Sequence, residues 1–178
     1  ASYQDDNNVV ITNPSGAPFK ETLYIDGLRV GDAAQTTAAL GAAYQVTKGL
    51  KVDANYRYAD RLFANIDPVN FKTQTARDYG ALQLPSFGLL DAGMTYKMFV
   101  GKDKANSVNF RLNVNNVLDK VYIAESRTNN RTKTQADFTT EALYNNYINT
   151  QTYNGVDVSN QVYFGFGRTW NLSVAYKF

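Results

Sequence analysis

From Thr36 onward the chain alternates apolar and polar positions with period two. "TTAALGAAYQV" puts Ala38, Leu40, Ala42, Tyr44 and Val46 on one parity, with Ala39, Gly41, Ala43 and Gln45 on the other. After a "TKG" turn, "LKVDANYRYADRLF" sets Leu50, Val52, Ala54, Tyr56 and Tyr58 against Lys51, Asp53, Asn55, Arg57 and Ala59. "FGLLDAGMTYKMFVG" resumes the pattern, Leu90, Ala92, Met94, Tyr96 and Met98 opposing Asp91, Gly93, Thr95, Lys97 and Phe99. In "SVNFRLNVNNVLDKVYI", Val108, Phe110, Leu112 and Val114 oppose Asn109, Arg111, Asn113 and Asn115. The chain ends on Trp170, Leu172, Val174, Tyr176 and Phe178, interleaved with Asn171, Ser173, Ala175 and Lys177. Alternation of this kind sends successive side chains to opposite faces of a strand. It predicts strands at about 36–46, 50–64, 87–100, 107–123 and 161–178, each with one apolar face.

Residues 65–86 and 124–160 hold no sustained period and read as long loops, the second with a short helix around "FTTEALYNNYI". The first 35 residues read as irregular, with Lys20–Val30 the only place there for a sixth strand. The connections therefore alternate: three residues, 22, about six, then 37. Compact soluble domains seldom contain structureless loops above about 15 residues, whereas transmembrane barrels join strands by short turns on one side and long outer loops on the other.

The polar parity adds a second constraint. Asp53, Asn55, Arg57, Arg111, Asn113 and Asn115 cannot fill a small dry interior, because an unpaired buried charge costs several kcal/mol. They are expected to face a wet lumen or a polar plug. Tyr44, Tyr58, Tyr96 and Tyr176 sit near predicted strand ends, as aromatic girdles do at a membrane interface. Open sheet edges are not tolerated in lipid, and the smallest common barrels close at about eight strands. Five or six strands would thus be part of a larger barrel, or one share of a barrel built from several copies; the charged inner face favours the first. The expected fold is all-β, a transmembrane antiparallel up-and-down β-barrel of which this chain holds the last five or six strands. With the long loops outward, the final strand descends to the periplasmic rim and seals the barrel against its first strand.

Composition narrows the chemistry. Eighteen basic and 16 acidic residues leave a net charge of +2, without the basic footprint of a nucleic-acid binder. Cysteine and histidine are both absent, which removes disulfides, thiolate and imidazole chemistry and the usual zinc sites. No apolar run approaches the roughly 20 residues of a spanning helix, and "ASYQDDNNVV" has neither the basic start nor the apolar core of a secretory signal. The chain is therefore expected to be a mature form or an internal piece.

Individual motifs carry little catalysis. "FGFGR" has a G-x-G but no third glycine and no following helix, so it is not a dinucleotide fingerprint. Gly165 and Gly167 instead share the inward parity with Gly41 and Gly93, while Arg168 falls outward with Trp170 unless a bulge turns it. "QDDNN" supplies oxygens for calcium without a spaced ligand series, and the Asn130 and Asn171 sequons carry no meaning on a bacterial strand or loop. No pair of carboxylates is brought into one cleft by the pattern, so no enzyme activity and no cofactor are expected. Loop 124–160 is the candidate ligand-facing element, through Arg127, Arg131, Tyr144, Asn145, Tyr147 and Tyr153; Tyr and Asn make adaptable amphipathic contacts.

Three stretches carry a family resemblance. "RLNVNNVLDKVYI" (Arg111 to Ile123) resembles the penultimate strand of TonB-dependent outer-membrane receptors, and "GRTWNLSVAYKF" (Gly167 to Phe178) resembles their last strand. "LPSFGLLDAGMTYKM", with residues 30–60, is similar to the version found in Bacteroidota. The resemblance covers roughly residues 28–123 and 161–178. It implies a barrel of about 22 strands, a plug domain and a periplasmic coupling box that this chain does not include, and location in the outer membrane of a Gram-negative bacterium. The implied function is TonB-dependent active transport of a solute too large or scarce for porins, whether siderophore, cofactor, peptide or glycan. Implied partners are the rest of the barrel and plug, the TonB complex, the outer-membrane assembly machinery, the lipid bilayer and a surface lipoprotein. Trp170, Leu172, Val174, Tyr176 and Phe178 then resemble the family's assembly signal. The alternatives are a non-transporting barrel serving as anchor, adhesin or assembly scaffold, and a small complete membrane barrel or soluble β-domain.

Overall fold

The computed structural model describes residues 10, 12, 15, 16, 22–101 and 105–178. Its main element is a five-stranded antiparallel sheet of β1 (Thr36–Gln45), β2 (Leu50–Asp60), β5 (Phe87–Val100), β6 (Asn106–Asn115) and β11 (Thr169–Lys177), in that spatial order. Four further short strands and a pair at the second connection interrupt the numbering: β3 (Leu62–Phe63), β4 (Gln83–Leu84), β7 (Ile123–Ser126), β8 (Thr152–Tyr153), β9 (Val156–Asp157) and β10 (Val162–Phe164).

The register keeps like chemistry together. Ala42, Ala54, Ala92, Val114 and Trp170 stand side by side across all five strands, and so do Tyr44, Val52, Met94, Leu112 and Leu172. One position along, the row is Ala43, Asp53, Gly93, Asn113 and Asn171. Because a one-residue slip would exchange the faces, the alternation seen along each strand becomes a sheet with one apolar and one polar side. Nothing covers the apolar side among the described residues: Leu40 is 76% exposed, Trp170 71% and Val174 59%.

The sheet is held tightly at its short turn. Thr47 Oγ1 accepts from the backbone N–H groups of Gly49 and Leu50 at 3.3 and 3.2 Å. Lys97 N–H donates to the Gly49 carbonyl at 2.7 Å, and a Cβ on Gly49 would lie 2.6 Å from the Lys97 oxygen, so only glycine permits that approach.

The buried core lies beyond the other end of the strands. Leu62, Leu84, Ile123 and Val156 form it, with Ala34, Leu82, Phe87 and Val162 packed around them. The two long connections, read from the sequence as loops with one short helix in the second, are thus folded. The first carries β3, a 3-10 turn (Pro68–Asn70), α1 (Gln74–Tyr79) and β4; the second carries β7, a 3-10 turn (Gln135–Asp137), α2 (Glu141–Gln151), β8, β9 and β10. Threonine side chains cap both helices, Thr73 accepting from Ala76 N–H and Thr140 from Leu143 N–H. The helix expected around "FTTEALYNNYI" is α2.

Three strand boundaries fall short of expectation, each for a local reason. β2 ends at Asp60 rather than residue 64, because Arg61 turns to φ 51° and its Nε donates to Thr36 Oγ1 at 2.8 Å. β6 ends at Asn115 rather than residue 123. Asn116, at φ 48°, closes a loop on itself by donating to the Lys120 carbonyl and accepting from Lys120 N–H, both at 2.9 Å. The last strand breaks between β10 and β11, where Gly165 N–H donates to the Tyr122 carbonyl at 2.9 Å and Arg168 N–H to Asp119 Oδ1 at 2.7 Å. Arg168 therefore belongs to an irregular segment, its guanidinium 3.7 Å from Asp119. Lys20–Val30 holds no strand among its described residues.

The all-β expectation holds at the level of an open antiparallel sheet. No closed barrel is formed: β1 and β11 do not pair with each other, and their outer edges have no partner strand among the described residues. No helix among the described residues is long and apolar enough to cross a membrane, which says nothing about crossing by strands.

Candidate functional site

Two regions concentrate polar chemistry. The first is the polar side of the sheet, where Asp53, Asn55, Arg57, Arg111, Asn113 and Asn115 all share one face. Arg111 reaches across β5 to form a two-pronged pair with Asp53, one prong at 3.0 Å. The same guanidinium donates to Thr95 Oγ1 at 2.9 Å and to Asn113 Oδ1 at 2.7 Å, and Asn113 in turn donates to Asn171 at 3.0 Å. Gly93 lies beneath the pair: a Cβ there would stand 2.5 Å from both Arg111 Nη2 and Asp53 Oδ2. Nearer the long connections, Arg57 pairs with Asp91 at 2.9 Å, whose other oxygen accepts from Asn116 N–H at 2.9 Å. A row of bidentate and amide bonds of this kind locks side-chain orientation.

The second region is the folded pair of connections. Asn129 joins them, its Oδ1 accepting from Leu82 N–H at 2.6 Å and its Nδ2 donating to the Gly80 carbonyl at 3.1 Å. Asn160 staples the second connection to itself, accepting from Asn130 N–H at 2.8 Å and donating to the Asn130 carbonyl at 2.9 Å. Neither asparagine stood out in the sequence, because amides are common there and their partners are distant in the chain.

The six ligand-facing candidates do not converge. Arg131 forms a fork-to-carboxylate pair with Asp137, at 2.9 and 2.6 Å, and lies 4.4 Å over the Tyr79 ring. The Arg131 guanidinium holds the Asp137 carboxyl well below the usual carboxylate range, aided by Thr134. Tyr147 departs furthest from expectation: it is buried, and its hydroxyl donates to Asp157 at 2.6 Å while accepting from Lys133 N–H at 3.1 Å. Burial pushes its phenol up. Tyr144 packs on Phe138 with ring centroids 5.9 Å apart, and Tyr153 stands edge-on to Phe164 at 5.7 Å. Asn145 is exposed on α2. Arg127 lines a polar groove between the two connections, and Arg131 lines the hollow beside it. Trp170, Leu172, Val174, Tyr176 and Phe178 share the exposed apolar side of β11 and its end. The "QDDNN" oxygens lie outside the described residues, and no cluster of acidic side chains suited to a metal occurs among the described ones.

No protein-family model matches the chain, and neither the curated proteins nor the solved structures contain a match to it.

Proposed function

We propose that this chain forms part of the wall of an outer-membrane β-barrel, the C-terminal strands of a TonB-dependent transporter, with the polar side toward the lumen and the folded connections at the outer mouth. The observation that carries the membrane reading is the five-strand register, which places an exposed, continuous apolar side opposite a charged one. A soluble sheet would bury such a side. Loop length no longer contributes, since both long connections are folded. Strands of 10, 11, 14, 10 and 9 residues suit tilted crossings, which need about 9–11. The TonB assignment rests on the sequence resemblance.

An odd number of strands also bears on closure. In a five-stranded antiparallel meander, β1 and β11 run the same way, so a ring of identical copies would meet in parallel seams. An odd number of additional strands closes an all-antiparallel barrel, which favours a larger single-chain barrel.

A second reading, a non-transporting scaffold or adhesin, is supported by the cross-tied connections, which present a firm outer surface. The deciding experiment uses the full-length protein in its own cells. Tracer uptake, screened over siderophore, cobalamin, peptide and glycan classes, is expected to vanish when the coupling box is deleted. Full function without the box supports the scaffold, and recovery of the protein as a detergent-free soluble species overturns both readings.

A further inference from the structure

We propose that Asn154–Gly155 is a site of spontaneous deamidation, a slow one-way chemical change that opens the second long connection from within. Asn154 is the only asparagine in the chain followed by glycine. The two residues turn β8 into β9 with φ of 49° and 82°, the pair of positive values found in the tight hairpin turn that Asn-Gly favours.

The reaction needs the Gly155 backbone nitrogen to reach the side-chain carbonyl carbon of Asn154, and the surroundings leave that approach open. Both residues are exposed. Neither the Asn154 carboxamide nor the Gly155 N–H has a hydrogen-bond partner among the described residues. No described atom comes within 4 Å of the place where a Cβ on Gly155 would stand, so the glycine amide is uncrowded. Attack requires the Asn154–Gly155 peptide to rotate out of the closed turn. Thr132 Oγ1 anchors the far side of the glycine by donating to its carbonyl at 2.9 Å, and the rotation therefore falls on the one peptide of the turn that no side chain holds. Local openings of this kind at an exposed loop tip cost far less than unfolding. Other asparagines are engaged or shielded: Asn116, Asn129 and Asn160 spend their amides on the bonds described above, Asn130 donates to the Ser159 carbonyl at 3.2 Å, and Asn106 precedes Ser107, which is buried in β6.

In the first step the Gly155 nitrogen bonds to Asn154 Cγ and the Cγ–Nδ2 bond breaks. Ammonia leaves with the proton of the glycine amide, and a five-membered succinimide remains. Water then opens the ring. Addition at Cγ gives an aspartyl residue; addition at the α-carbonyl gives an isoaspartyl residue, whose backbone runs through Cβ and is one atom longer. No oxidation or reduction occurs in either route. The longer backbone cannot keep the pairings Tyr153↔Val156 and Thr152↔Asp157 on either side of a two-residue turn. Val156 is a member of the buried core, and Asp157 accepts from the buried Tyr147 hydroxyl at 2.6 Å. Loss of the hairpin thus loosens the core and the contact beneath α2 together. This inference goes beyond the transport reading and is independent of it, since the chemistry needs only the hairpin and water.

The test keeps the full-length protein in detergent in warm, mildly alkaline buffer beside the free peptide of residues 151–158, with samples taken over weeks. Fragmentation mass spectrometry of the tryptic peptide 134–168 locates the converted residue, and labelling by isoaspartyl methyltransferase identifies the longer backbone. Asn154 is expected to convert about tenfold faster than any other asparagine, because glycine alone presents an unhindered nitrogen, and more slowly than in the free peptide, where no turn must open. Hydrogen exchange across 152–157 should accelerate in the isoaspartyl form and stay slow in freshly made Asn154→Asp, which carries the charge without the extra atom. Asn154→Gln should abolish isoaspartate in this peptide and keep exchange slow. Conversion at Asn154 no faster than elsewhere, none while the free peptide converts fully, isoaspartate in Asn154→Gln, unaltered exchange in the isoaspartyl form, or fast exchange in fresh Asn154→Asp would each overturn the proposal. None of these readouts involves uptake, which separates its failure from failure of the transport reading.

Discussion

Gly93 is the residue on which the polar side of the sheet turns. The Asp53–Arg111 pair spans β5 only because position 93 has no side chain to obstruct it. Gly93→Val is expected to separate the pair and lower stability by about 1 kcal/mol, the discount reflecting partial solvent access; Gly93→Ser should fall between the two. Denaturant titration of the refolded protein in detergent reads the difference. In the connections, Arg131 and Asp137 give a pH signature. Since the Asp137 carboxyl is held below its ordinary value, its contribution is fully present above the ordinary carboxylate pKa of about 4. It is lost progressively as pH falls from there through the depressed value. Hydrogen exchange across residues 131–137 should stay slow at pH 5 and accelerate in stronger acid, whereas Arg131→Met should exchange fast throughout. Parity alone made the six polar-face residues legible, because a strand fixes direction by counting. Tyr147 and Arg131 were not legible, since Asp157 and Asp137 reach them only through the folded second connection.

At the level of elements, β11 offers the sharpest contrast between faces. Leu172 lies in the apolar row and Asn171 in the polar row beside it. If the apolar side meets hydrocarbon, Leu172→Lys should cost about 2–4 kcal/mol of folding stability in liposomes, and Asn171→Lys far less. In a water-soluble sheet both would be tolerated, Leu172 being 57% exposed. For the end of the same element, the proposed barrel reading predicts that deletion of Phe178 reduces the amount of assembled protein in the outer membrane more than the activity of each assembled molecule. Quantitative immunoblotting of membrane fractions against uptake per molecule separates the two. Strand centres were readable from alternation, and strand ends were not. Asn116 closes on Lys120 only four residues further on, and both interrupt the apolar parity that runs through Val114, whereas Gly165 admits the ring of Tyr122 from far along the chain, and "FGFGR" continues its alternation without warning of it.

At the scale of the molecule, the arrangement inverts that of a soluble domain: the large sheet exposes its apolar side, and the packed core joins Leu84 and Val156, from what the sequence presents as loops, to Leu62 and Ile123 at the far ends of its predicted strands. The strands of the long connections went unread because β4, β7, β8 and β9 are only two to four residues long, too short for a period to register. Asn129→Ala should release the two connections from each other, leaving Leu82 N–H without its partner at a cost of about 1–3 kcal/mol. Limited proteolysis of intact cells is the readout, with cleavage within 65–86 and 124–160 rising together rather than singly.

That link has a temporal side. Asn129 lies 47 positions from Leu82 and 49 from Gly80 along the chain, on a hairpin that is made after the one it grips. The joined connections cannot acquire their shape until both hairpins stand side by side, so their closure marks the completion of this stretch of sheet. If the proposed barrel reading holds, an antibody that recognises only the joined connections would therefore count finished molecules at the cell surface and ignore those stalled on the way there.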